Sequence, residues 1–114
     1  MKYTDLEIWK ESRIIVKMVY DCMLTFPKEE IYGLQSQIKK SVISIPSNIA
    51  EGCGRSQPKD IIRFYAYELE TQLYLSYDLE FMNEITLNTL LDKLKRIRIL
   101  LSGLINYQKT QIIN

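Results

Sequence analysis

Histidine is absent from the 114-residue chain, and cysteine occurs only twice, as Cys22 and Cys53. Without histidine there is no Ser-His or Cys-His pair for nucleophilic catalysis and no imidazole to ligate a metal. Zinc sites take about four ligands rich in Cys and His, so two thiols argue against a metal centre. The Glu-x-x-His pairs of di-iron bundles cannot be built either. Glycine is scarce at four residues, and Gly52-Cys53-Gly54 lacks the spacing and the lysine of a phosphate-binding loop. Charge of one sign is also missing. Fifteen Lys and Arg against 14 Asp and Glu leave a net +1, whereas a nucleic-acid-binding domain usually has a pI above about 9. No run of about 18 apolar residues suits a membrane span, and Met1-Lys2-Tyr3-Thr4-Asp5 has no apolar signal-peptide core. These absences lead us to expect a cytoplasmic protein with reduced thiols, no cofactor, no catalytic residues and no enzymatic activity.

What is present is helical periodicity. With 46% hydrophobic and 25% charged residues, the chain is ordinary globular material, and residues 1–114 are expected to form one domain. A first helix is predicted over 5–25, capped by Thr4 or Asp5 and stopped by Pro27. Ile8, Ile15, Val19, Cys22 and Phe26 form one of its apolar stripes, beside Leu6, Trp9, Val16, Tyr20 and Met23. Cys22 reads as a small buried hydrophobe. A second helix is predicted from Lys28 or Glu29 to Ala50 or Glu51, its apolar residues Ile31, Leu34, Ile38, Val42, Ile45 and Ile49 keeping step through Pro46. A kinked but continuous helix follows, with Gly33 inside it at a close approach and Gly52 as a left-handed C-cap. A break at Pro46 would instead allow a three-helix array or a swapped dimer.

Ser56 or Gln57 is expected to cap a third helix running from Pro58 to about Asn83. Its stripe is Ile62, Tyr65, Ala66, Leu69, Leu73, Ser76 and Leu79, widened by Ile61, Phe64, Leu75 and Met82. Glu68, at the edge of this surface, is expected to pair with a neighbouring cation or hydroxyl. The turn Ile85–Asn88, with Thr86 as cap, leads into a last helix with a heptad of Leu87, Leu90, Leu94, Ile97, Leu101 and Leu104. Ile99, Leu100 and Tyr107 give it apolar surface beyond the stripe one bundle buries, which points to self-association. The predicted fold is an all-α, up-down-up-down antiparallel four-helix bundle, kinked in its second helix at Pro46.

Charge is unevenly placed. Residues 55–84 carry three cations against six anions, and residues 85–114 five cations against one anion. An acidic third helix beside a basic fourth accounts for this. A sharper reading makes Lys93, Lys95, Arg96 and Arg98, repeated around an oligomer, candidate nucleic-acid contacts.

Several segments also carry a family likeness. They are Asp5-Leu6-Glu7-Ile8-Trp9-Lys10, Phe26–Leu34, Gln37–Ser41, Ser44-Ile45-Pro46-Ser47-Asn48-Ile49-Ala50-Glu51-Gly52, Gly54-Arg55-Ser56 and Arg63-Phe64. In this order they resemble the bacterial four-helix-bundle proteins encoded by intervening sequences within 23S rRNA genes. The likeness covers about residues 5–80. It implies structural roles for Trp9, Pro46, Asn48, Glu51, Gly52 and Arg55, a homopentameric assembly and no catalytic activity. It extends to the accessory protein of diversity-generating retroelements, a pentameric barrel that engages a reverse transcriptase and nucleic acid. Two functions follow as expectations: a non-enzymatic, self-assembling scaffold, or an RNA- or DNA-binding accessory to a ribonucleoprotein or reverse transcriptase.

Overall fold

The computed structural model describes residues 2–52 and 59–113, with side chains described at 2–52 and 60–104. Four helices account for most of it: α1 (Glu7–Met23), α2 (Leu34–Gly52), α3 (Lys59–Asp78) and α4 (Glu84–Ile113). Each packs on its neighbour in the chain, and α4 closes the ring against α1. The diagonal helices make no close backbone approach among the described residues. This is a four-helix bundle.

The core is the inner stripe of each helix. Ile15 and Val19 of α1, Ile38, Val42 and Ile45 of α2, Leu69 and Leu73 of α3, and Leu94 and Ile97 of α4 are wholly enclosed. At about 25 cal/mol per Å² of apolar surface removed from water, this stripe provides the main drive for folding. Ser12, Ser41 and Ser76 are buried with it. Ser12 and Ser76 return their hydroxyls to their own helices, on the Trp9 and Gln72 carbonyls, and the Ser41 hydroxyl is shared between the Gln37 carbonyl at 3.1 Å and Glu68 at 2.8 Å, so a small polar residue sits at the packing face without an orphaned donor.

The helix ends differ from expectation. Thr4 and Asp5 do not cap α1. They lie in a 3-10 turn (Tyr3–Asp5), and Leu6 occupies the cap position in extended geometry with no side-chain bond. The helix also stops at Met23, before residue 25. Beyond Pro27 comes a second 3-10 turn (Lys28–Glu30), and α2 starts only at Leu34. Glu30 serves its first turn from outside, its carboxylate accepting the Leu34 N–H at 3.3 Å. Gly33 therefore precedes α2. A Cβ there would lie 3.0 Å from the Glu30 carboxylate, so the glycine makes room for that cap and not for a neighbouring helix.

The chain stays helical through Pro46 as predicted, although proline has no N–H to give the Val42 carbonyl. Gly52 is not a left-handed cap, since no described glycine has positive φ. That conformation falls instead to Glu80 (φ 67°). It ends α3 at Asp78, short of Asn83, with Glu80 N–H bonding to Tyr77 carbonyl at 2.9 Å and Phe81 N–H to Ser76 carbonyl at 2.8 Å, the paired bonds of a Schellman turn. Residues 85–88 are already in α4. Its cap is Asn83, whose Oδ1 accepts the Thr86 N–H at 2.8 Å, so Thr86 is the third helical residue rather than the cap. The expected caps Ser56 and Gln57 lie outside the described residues.

Candidate functional site

The four cations of α4 do not form one cluster. Successive helical residues are rotated by about 100°, so near neighbours in sequence leave the helix on different flanks. Lys93 reaches α1, where its Nζ donates to Glu11 at 2.7 Å. That hydrogen bond and the lysine's charge, with Arg96 adding to the field, hold the Glu11 carboxyl below its usual range against the opposing effect of desolvation. Arg98 reaches α3 instead, donating to Glu70 while its guanidinium lies 5.3 Å from the Tyr67 ring centre. Lys95 and Arg96 are exposed and form no ion pair among the described residues. Lys95 shares a shallow α3–α4 groove of about 310 Å³ with Arg63, Tyr67 and Arg98. Half of the predicted basic set is thus tied up in holding helices together.

The residues of the family-like motif serve the bundle. Trp9 is only half-buried, not mostly buried as its place in an apolar stripe suggested. The ring packs edge-on to Tyr3 with centroids 5.3 Å apart, and the Arg13 guanidinium lies 4.9 Å from its centre. Around Pro46, Ser44 donates to Lys40 carbonyl, Ser47 to Ile43 carbonyl and Asn48 to Ser44 carbonyl, at 2.6, 2.9 and 2.7 Å. The polar residues beside the proline bond to α2's own backbone. Glu51 is exposed, and Arg55 falls outside the described residues. Cys22 is half-buried, and burial, with a smaller effect from Asp21, pushes its thiol up to about 11. A thiol so rarely ionised is a poor nucleophile. It borders a cavity of about 920 Å³ at the α3–α4 turn, lined by Tyr77, Asp78, Glu80 and Asn83. No group of three or more Cys, Asp or Glu able to hold a metal occurs among the described residues.

The most unusual chemistry lies between α2 and α3. Glu68 takes a hydroxyl partner, one of the two expected: its Oε1 accepts from Ser41 Oγ at 2.8 Å and from Gln72 Nε2 at 3.3 Å. Gln72 is 5% exposed, and its Oε1 is the one buried side-chain polar atom without a partner among the described residues. Above this network runs an open groove of about 660 Å³, lined by Gln37, Phe64, Tyr67, Thr71 and Leu75. Phe64 is 60% exposed, and Ile61, Tyr67, Leu75 and Leu79 are also exposed. Four of these (Ile61, Phe64, Leu75 and Leu79) were expected to belong to the apolar stripe of α3; the first three fall outside it because the core takes only the face centred on Leu69 and Leu73, and Leu79 because the helix ends at Asp78. Of the residues expected to give α4 surplus apolar surface, Ile99 is exposed and Leu100 is half-buried against the core, while the Tyr107 side chain lies outside the described residues; among the described side chains the exposed apolar surface is larger on α3. Gln72 was missed in the sequence. Its signal is a glutamine inside an apolar stripe, four residues after an acid.

A family model described as 23S rRNA-intervening sequence protein covers residues 4–103. No curated protein matches the chain. The chain belongs to the 23S rRNA-intervening sequence protein family.

Proposed function

We propose that this protein is a non-enzymatic, self-assembling scaffold that acts in the cytoplasm, with further copies of itself as its first partner. The observation that carries this reading is the outer face of α3. Ile61, Phe64, Tyr67, Tyr74 and Leu75 are each at least 45% exposed, and Phe64, Tyr67 and Leu75 line one groove, a concentration of apolar and aromatic side chains of the kind that marks an interaction site. The family likeness implies five copies. In line with that reading, no described helix is long and apolar enough to cross a membrane. Light scattering at micromolar concentration is expected to give a mass near five times the 13.5 kDa chain. A monomer would overturn the proposal, and a different closed oligomer would retain the scaffold while replacing the stoichiometry.

A second reading, an RNA- or DNA-binding accessory to a ribonucleoprotein or reverse transcriptase, draws on Lys95 and Arg96, which are exposed and have no ion-pair partner among the described residues. It ranks lower because Lys93 and Arg98 are engaged inside the bundle. A gel shift with rRNA fragments tests it: binding through these residues falls steeply with salt.

A further inference from the structure

The α2–α3 groove carries unmet acceptor capacity. Gln72 Oε1 is buried without a donor, and Glu68 is a carboxylate with only neutral donors, Ser41 and Gln72, and no cation among the described residues. The chain's own α4 does not supply one. It meets α3 on the other flank, where Arg98 is taken by Glu70. On its outer side, along the rim of that α3–α4 groove, α4 presents the converse set. Ile99 is 55% exposed, with the exposed Lys95 and Arg96 one turn before it and no ion pair to either among the described residues.

We propose that these two surfaces meet between copies: Ile99 of one chain packs against Phe64 and Leu75 of the next, and Arg96 donates to the half-buried Glu68 carboxylate on the groove wall. The planar guanidinium offers several donors in a fixed fork, which suits a carboxylate. The two patches are different parts of one molecule, so the contact is head-to-tail and closes into a ring when its rotation permits. The inference rests on the self-assembly proposed above and names the surfaces that would carry it.

The test uses the full chain and follows its mass by light scattering and sedimentation, with circular dichroism and thermal melting as folding controls. Arg96→Glu and Ile99→Asp alter exposed positions and are expected to leave helix content intact while weakening assembly, on the order of 30-fold for the charge reversal. Glu68→Arg is expected to weaken it similarly, and the double variant Glu68→Arg/Arg96→Glu to recover assembly to within a few-fold of wild type. Unchanged mass for Arg96→Glu and Ile99→Asp would overturn the contact while leaving self-assembly in place. Dissociation by both single charge reversals without recovery in the double variant would overturn the Arg96–Glu68 pairing. A monomeric wild type would remove both this inference and the scaffold reading.

Discussion

The α1–α4 and α2–α3 seams of the bundle treat a partly buried carboxylate in opposite ways. At the first, Glu11 meets Lys93 at 2.7 Å, and the two side chains are 16% and 26% exposed. The charge is neutralised inside the chain, and the seam is complete as it stands. At the second, Glu68 has two neutral donors, Gln72 keeps an unpaired oxygen, and exposed aromatic surface surrounds them. Desolvating a polar atom without a partner costs about 1–3 kcal/mol. A seam that satisfies its own polar groups serves folding, and one that leaves them unmet beneath exposed apolar surface is suited to receive something else.

The sharpest way to break this contrast uses two leucines of α3 two positions apart. Leu73 is fully enclosed, whereas Leu75 is 45% exposed on the groove side. Leu73→Ala should cost about 2–5 kcal/mol through lost burial and the cavity left behind. Leu75→Ala should change the stability of the dissociated chain by only about 0.5 kcal/mol, as ordinary surface substitutions do. Urea unfolding of dilute protein measures both. Equal losses would mean that the groove side belongs to the core.

The next effect is smaller and depends on pH. Glu11→Gln leaves Lys93 without its counter-charge, and the partial exposure of both groups limits the expected loss to about 1–2 kcal/mol at neutral pH. Because the folded carboxyl titrates below its usual 4.5, the stabilisation is present above that value and is lost as the pH falls through the folded pKa. Melting curves of wild type and variant should therefore converge on acidification below about 4.5. A gap that persists in acid would show that Lys93 and Glu11 contribute through packing rather than charge.

Much of the fold could be read from periodicity. The α4 heptad from Leu87 to Leu101 is buried at every position, because seven residues bring a side chain back to nearly the same face. Periodicity says less about how wide the buried face is. Ile61, Phe64 and Leu75 keep helical spacing with one another yet face outward, since a flanking stripe shows the same period as a core stripe. Caps were misread for a different reason: Asn83, Thr86, Thr4 and Asp5 are all competent capping residues, and only backbone geometry selects among them. The cations illustrate the limit most clearly. Lys93 and Lys95 are two residues apart in sequence, but on a helix they leave on flanks served by different neighbours, so a run of charge did not become a patch.

The smallest expected effect concerns α2, which forms one wall of the unmet seam. Pro46→Ala supplies an N–H to the Val42 carbonyl, and a net hydrogen bond contributes about 1 kcal/mol. Alanine also frees the unfolded chain, which offsets about 0.4–1 kcal/mol of that gain. Stability should thus stay level or rise by less than about 1 kcal/mol. The functional consequence lies in geometry. Ser44, Ser47 and Asn48 already bond back to carbonyls one turn earlier, a pattern that bends helices, and the proline acts in the same direction. Without it the first half of α2, with Gln37 and Ser41, should settle differently against Glu68 and Phe64. Melting temperature and light scattering on one sample separate the two consequences: a preserved fold with weakened assembly is expected. A loss of more than about 1 kcal/mol would instead make Pro46 a support of the fold itself, and unchanged assembly would detach the proline from the groove.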